Sequence, residues 1–155
     1  MLYLDSSALV KRYSDEKGSR AVVARFESGV KVFTSMLSFG EVHSSIARKF
    51  RSKELSLLAL TKLRENFLED WLFSLSVLNL DGSTMSALPR LVEQYDLRAG
   101  DAIQLSTAFW LRDTNRLRRH GAHSEQSVEF GVADNRLAKV AQECGFQVFN
   151  PEDED

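Results

Sequence analysis

VEFGVADNRLAKVAQECGFQVF, residues 128–149, reads as strand, helix, strand. Val128 to Val132 is a short strand candidate. Leu137, Val140, Ala141 and Cys144 then recur at i, i+3, i+4 and i+7, which lines one face of a helix. Gly145 ends that helix, and Phe146 to Phe149 supplies another strand.

The same alternation runs back to the start of the chain. Leu2 to Leu4 is a short apolar run, read as a buried strand, and Ser6 to Tyr13 starts a helix. Val30 to Thr34 is a strand preceded by a turn at Gly29. From Ser38 the pattern turns helical through Val42, Ile46 and Phe50, and a longer helix carries Leu60, Leu63, Phe67 and Trp71 on one face. Val77 to Leu80 is a further strand. Asp81 or Ser83 is expected to cap a helix running to about Tyr95. Gly100 breaks the chain, and Asp101 opens a helix with Ile103, Leu105, Ala108 and Phe109. Residues 113–127 are polar and read as an extended loop. Strands alternating with helices predict an α/β fold, with a mainly parallel sheet of about five strands and helices on both faces.

The bulk numbers suit one domain, taken as residues 1–150, with an acidic tail at 151–155 that is expected to fray. Hydrophobic residues make up 43% and charged residues 27% of the 155, an ordinary globular composition. A net charge of −2 argues against a protein that coats nucleic acid passively. It does not weigh against an enzyme that grips a few phosphates through metal ions. Cys144 is the single cysteine, so no intrachain disulfide forms, and the reducing cytoplasm is the natural compartment. Asp5 arrives too early for the apolar core of a signal peptide, and no apolar run approaches a membrane span.

Ligands of open parallel sheets bind beyond the carboxyl ends of the strands. Asp5 directly follows Leu2 to Leu4, and Asp134 follows Val128 to Val132 by two residues. Glu41 is placed on the first turn of the helix after Val30 to Thr34, and Asp101 at the N-terminus of its own helix. Each acid alone has a bland explanation, because carboxylates favour helix N-termini. Four at one topological edge repel each other and make physical sense around hard cations. An oxygen-only set without Cys or His suits Mg²⁺ or Mn²⁺ rather than Zn²⁺.

The segments YLDSSALVKRY, TSMLSFGEVHSSIAR, YDLRAGDAIQLSTA and VADNRLAKVAQECGFQVFNP, in that order and covering nearly the whole chain, resemble a PIN domain. More narrowly, they resemble the VapC-type toxins of bacterial toxin–antitoxin pairs. The resemblance implies a three-layer α/β/α sandwich and a Mg²⁺- or Mn²⁺-dependent endoribonuclease. Asp5, Glu41 and Asp101 match the family's first three acids, and Asp134 matches the more variable fourth. All four stand as catalytic and metal-binding candidates. Ser7 matches the small hydroxyl residue that helps position a ligand or water. The resemblance also implies an RNA substrate, a cognate antitoxin and a homodimer. One departure is Val132, where the family often has Thr or Ser two residues before the fourth acid.

Arg112, Arg116, Arg118 and Arg119 form a local basic cluster, and Lys11 and Arg12 follow the first acid. All are candidates for phosphate contact, with plain surface charge as the alternative. His43, His120 and His123 read as ordinary residues, because His43 points away from Glu41 and the other two lack a third ligand. Cys144, Phe67 and Trp71 read as packing residues. Three rival functions remain on the sequence alone. An aspartyl-phosphate enzyme would want a second Asp where Ser7 stands. A PIN-like scaffold could bind without cutting. The same chemistry could act on DNA.

Overall fold

Strand β1 (Leu2–Leu4) is wholly buried and lies in the middle of the sheet in this computed structural model, which describes residues 1–117 and 127–154. The other strands are β2 (Val32–Ser35), β3 (Ser76–Leu78), β4 (Glu129–Gly131) and β5 (Gln147–Phe149). Their order is β3-β2-β1-β4-β5, and every pairing is parallel.

The chain therefore winds outward from β1 in one direction, then returns to place β4 on β1's other side. The carboxyl ends of β1 and β4 flank the point where the winding reverses, which is where such sheets open a crevice. The register pairs Leu4 with Gly131, and the Asp5 amide donates to the Gly131 carbonyl at 3.0 Å.

Side chains alternate across the sheet, and the two faces build two cores. Leu2 and Leu4 pack with Leu9, Val22, Val42, Ile46 and Phe67. That core is covered by α1 (Ser6–Leu9), the 3₁₀ turn Val10–Tyr13, α2 (Ser19–Glu27), α3 (Leu37–Arg51) and α4 (Leu57–Phe73). Tyr3 points the other way and packs with Phe33, Leu105, Phe130, Leu137 and Phe146. This second core is covered by α5 (Leu88–Gln94), α6 (Ala99–Leu117) and α7 (Asn135–Glu143). The result is the three-layer sandwich with a five-stranded parallel sheet. Phe67 is fully buried, Trp71 packs against the first core, and Cys144 packs against the second, as their apolar spacing predicts.

Several local expectations need correction. Residues 113–117 are helical, because α6 continues to Leu117 with no Gly or Pro to stop it. The rest of that polar stretch, with Arg118, Arg119, His120 and His123, lies outside the described residues. Asp81 does bind the Ser83 and Thr84 amides, at 2.8 and 3.0 Å, but it closes a turn; α5 starts later, at Leu88 with Pro89 beside it. Strand β2 begins at Val32, so Val30 belongs to the turn and packs against the first core. The C-terminal residues do not fray up to Glu154. Pro151–Asp153 forms a 3₁₀ turn with Pro151 buried, and Glu152 binds the Lys11 ammonium at 2.7 Å.

Candidate active site

Asp5 is the N-cap of α1, 4% exposed, and its Oδ1 accepts from the Ala8 amide at 3.0 Å and the Ser7 hydroxyl at 2.7 Å. Ser7 Oγ in turn accepts from the Ala133 amide at 2.9 Å. One hydroxyl thus ties the segment after β1 to the segment after β4. Asp134 is the exposed N-cap of α7, with Oδ1 accepting from the Leu137 amide at 2.9 Å. Asp101 stands in the first turn of α6.

These three acids all have the bland helix-terminus role as well as any other. Glu41 does not. Helix α3 starts at Leu37, immediately after β2, where Ser35 Oγ accepts the Leu37 amide. Glu41 therefore falls beyond the first turn, contrary to the sequence expectation, and its placement has no macrodipole rationale.

Two of the four carboxyls, Asp5 and Asp101, are shifted by the charges of other acids in the group. Burial pushes the Asp5 carboxyl up to about 7, and the negative charges of Glu41 and Asp101 push the same way, against the two hydrogen bonds it accepts. Burial also raises Asp101, helped by Asp134 and Glu41 and opposed by Arg98. None of the salt bridges among the described residues involves any of these four acids.

The donor set is all oxygen and forms no salt bridge among the described residues, which fits a hard divalent cation. Among the described residues no three acid, His or Cys side chains close into a ready-made cage.

The remaining candidates divide. Lys11 is buried, its ammonium held by the Lys17 carbonyl at 2.9 Å and by Glu152, so it serves the fold. Arg12 is bound to Asp70 by two hydrogen bonds, of 2.5 and 3.3 Å, and lies 4.1 Å over Phe26. Arg112 stacks 4.4 Å from both Phe109 and Phe146 and donates to the Cys144 carbonyl. Arg116 is exposed on the last turn of α6. Val132 is fully buried in the second core. His43 packs against Phe39 and Phe67, and burial with the nearby Arg64 lowers its pKa.

Sequence reasoning missed the polar groups behind Glu41. Gln104 is 1% exposed and donates to Glu41 Oε2 at 2.8 Å. Its signal was present: a Gln inside the apolar run AIQL, which cannot be buried without partners.

This arrangement has relatives. Ribonuclease VapC45 of Mycobacterium tuberculosis is 26% identical over 148 residues, spanning 96% of this chain and 94% of its own. The FitAcB structure from Neisseria gonorrhoeae superposes with a TM-score of 0.67 at 18% identity, over 97% of this chain and 98% of that one. A toxin–antitoxin complex from Klebsiella pneumoniae gives a TM-score of 0.56 at 18% identity, again over 97% and 98%. At those identities the structures speak for the fold. The PIN domain model matches residues 2–143, a span that holds the sheet core and all four acids, and the chain belongs to the PIN domain family.

Proposed function

We propose that this chain is a Mg²⁺- or Mn²⁺-dependent endoribonuclease that hydrolyses RNA phosphodiester bonds as the toxin of a toxin–antitoxin pair. The observation that carries the reading is Asp5. It is a buried carboxylate at the end of the central strand, pushed up to about 7 with no salt-bridge partner among the described residues, and two more acids act on it through space. Such a group costs stability without a cation, and it is expected where a cation belongs.

Asp5, Glu41 and Asp101 would hold the ion, with Asp134 supporting a second ion or a water. When bound, the ion supplies activation of water and neutralises charge on the scissile phosphate. Ser7 fixes the Asp5 carboxylate and the Asp134 loop relative to each other. Arg116, exposed on the last turn of α6, lies at the opposite end of that helix from Asp101 and is not assigned to the cleavage site. Ribonucleic acid as substrate rests on the named ribonuclease relative. An antitoxin partner rests on the toxin–antitoxin neighbour. A homodimer and a cytoplasmic location are part of the same proposal and rest on the resemblance to VapC-type toxins alone.

The test is cleavage of total cellular RNA by purified protein in Mg²⁺ or Mn²⁺. Discrete fragments should appear, vanish with EDTA and return with Mn²⁺. Asp5→Ala and Asp101→Ala should each lower the rate by about 100-fold or more while the circular dichroism stays native. Cleavage near the wild-type rate in either variant removes that residue from the mechanism.

A further inference from the structure

Glu41 is held from behind by a chain of buried polar groups that runs through four elements. Thr34 Oγ1 lies 2.8 Å from the Leu4 carbonyl and 2.8 Å from Ser38 Oγ. A hydroxyl has one proton, and a carbonyl only accepts, so the Thr34 proton goes to Leu4. The Ser38 proton must then go to Thr34. That leaves a lone pair on Ser38 facing Gln104 Nε2 at 3.0 Å. The same Nε2 donates to Glu41 Oε2 at 2.8 Å, while Gln104 Oε1 accepts from the Tyr3 hydroxyl at 2.8 Å.

Glu41 and Ser38 therefore both demand one orientation of the Gln104 amide, and the Tyr3 hydroxyl donates to the oxygen so presented. A flipped amide would put its oxygen against the Glu41 carboxylate and against the Ser38 lone pair, whose proton is already given to Thr34. Thr34, Ser38 and Gln104 are each at most 1% exposed, so water cannot substitute for a missing partner. The other Glu41 oxygen sits where a side chain at position 100 would be: a Cβ on Gly100 would meet Oε1 at 2.9 Å. Gly100 and Gln104 are one helical turn apart on α6 and bracket the carboxylate, with Asp101 on the same turn.

We propose that Gln104 is a positioning residue for Glu41, its amide locked by Tyr3 and by the Ser38–Thr34 hydroxyl pair, so that α6 sets the direction in which Glu41 presents its carboxylate. This rests on the nuclease reading of the site. Gln104 touches no substrate; it acts through Glu41, and hydrogen bonds behind a ligating group tune ion affinity by about 10–100-fold.

The test is Mn²⁺ titration by calorimetry on the full chain, without RNA, for wild type, Gln104→Met and Tyr3→Phe. Gln104→Met keeps the volume and removes the hydrogen bonds. Its Mn²⁺ dissociation constant should rise by about 10–100-fold, with native circular dichroism. Tyr3→Phe keeps the Gln104 donor but leaves Oε1 without its partner, which loosens the amide, and should give a smaller rise in the same direction. The double variant should lose no more than Gln104→Met alone, because both act on one bond. Folded Gln104→Met that binds Mn²⁺ as wild type does overturns the assignment. If Gln104→Met does not fold, an unchanged Tyr3→Phe overturns it. Wild-type protein that takes up no Mn²⁺ overturns the nuclease reading and the assignment together, whereas wild-type binding with unaltered variants sinks the assignment alone.

Discussion

Gly100 lacks a side chain at a place where the Glu41 carboxylate lies too close for one. Its φ is not in the left-handed region, so alanine is sterically compatible with the backbone and is the better helix former by about 1 kcal/mol. The clash falls on the flexible end of Glu41, which can swing aside. Gly100→Ala should therefore leave thermal stability unchanged or slightly higher while lowering RNA cleavage by about tenfold or more, since an angstrom of misplacement is costly in a catalytic constellation. Thermal melts and initial rates check both halves, and undiminished cleavage would show that Glu41 tolerates displacement. Asp5, Asp101 and Asp134 stand out as candidates in the sequence because each follows a strand or lies at a helix start, whereas Glu41 falls beyond the first turn of α3. Gln104, Ser38 and Thr34 were not singled out because polar residues on helices and strands are common. Only the folded chain shows that these three are buried together.

At the scale of elements, the 3₁₀ turn Val10–Tyr13 carries two cations that the sequence offered to RNA, and the structure engages both elsewhere. Arg12 and the Tyr13 hydroxyl converge on Asp70 of α4, which is 8% exposed, and Arg12 holds its carboxyl below the usual range against the opposing effect of burial. Removing the guanidinium leaves that carboxylate with hydroxyl partners alone. Arg12→Ala should cost roughly 1–3 kcal/mol in urea denaturation. Unchanged stability with weakened RNA binding would return Arg12 to the substrate surface. Lys11 is similarly spent on Glu152, which is why the acidic C-terminal residues stay attached instead of fraying. Charge count along the chain could not separate these cations from Arg116, because the partners lie 58 positions away at Asp70 and 141 away at Glu152.

For the whole molecule, the acid cluster makes stability depend on pH in a definite sense. The Asp5 carboxyl titrates at about 7 in the fold, against an ordinary value of 3.8. Between those values the native state holds a proton that the unfolded chain has lost, so this group's contribution is complete below about pH 4 and fades as pH rises through about 7. In EDTA, Asp5→Asn, which can still cap α1, should be more stable than wild type at pH 8, by up to a few kcal/mol, because each pH step between the two titration points is worth roughly 1.4 kcal/mol. The advantage should vanish near pH 4. Thermal midpoints across that range check the sign, and an advantage at pH 4 that disappears at pH 8 would contradict it. The sequence was sufficient for the alternation of strands and helices, the two-faced burial of LYL and the candidacy of the four acids, because these follow from short-range periodicity and strand-end chemistry. Tertiary structure alone decided which acids lie within reach of one another's charge, which cations are already paired, and which amide hydrogen-bonds Glu41. Those are contacts between positions tens of residues apart, and local pattern carries no information about distance in space.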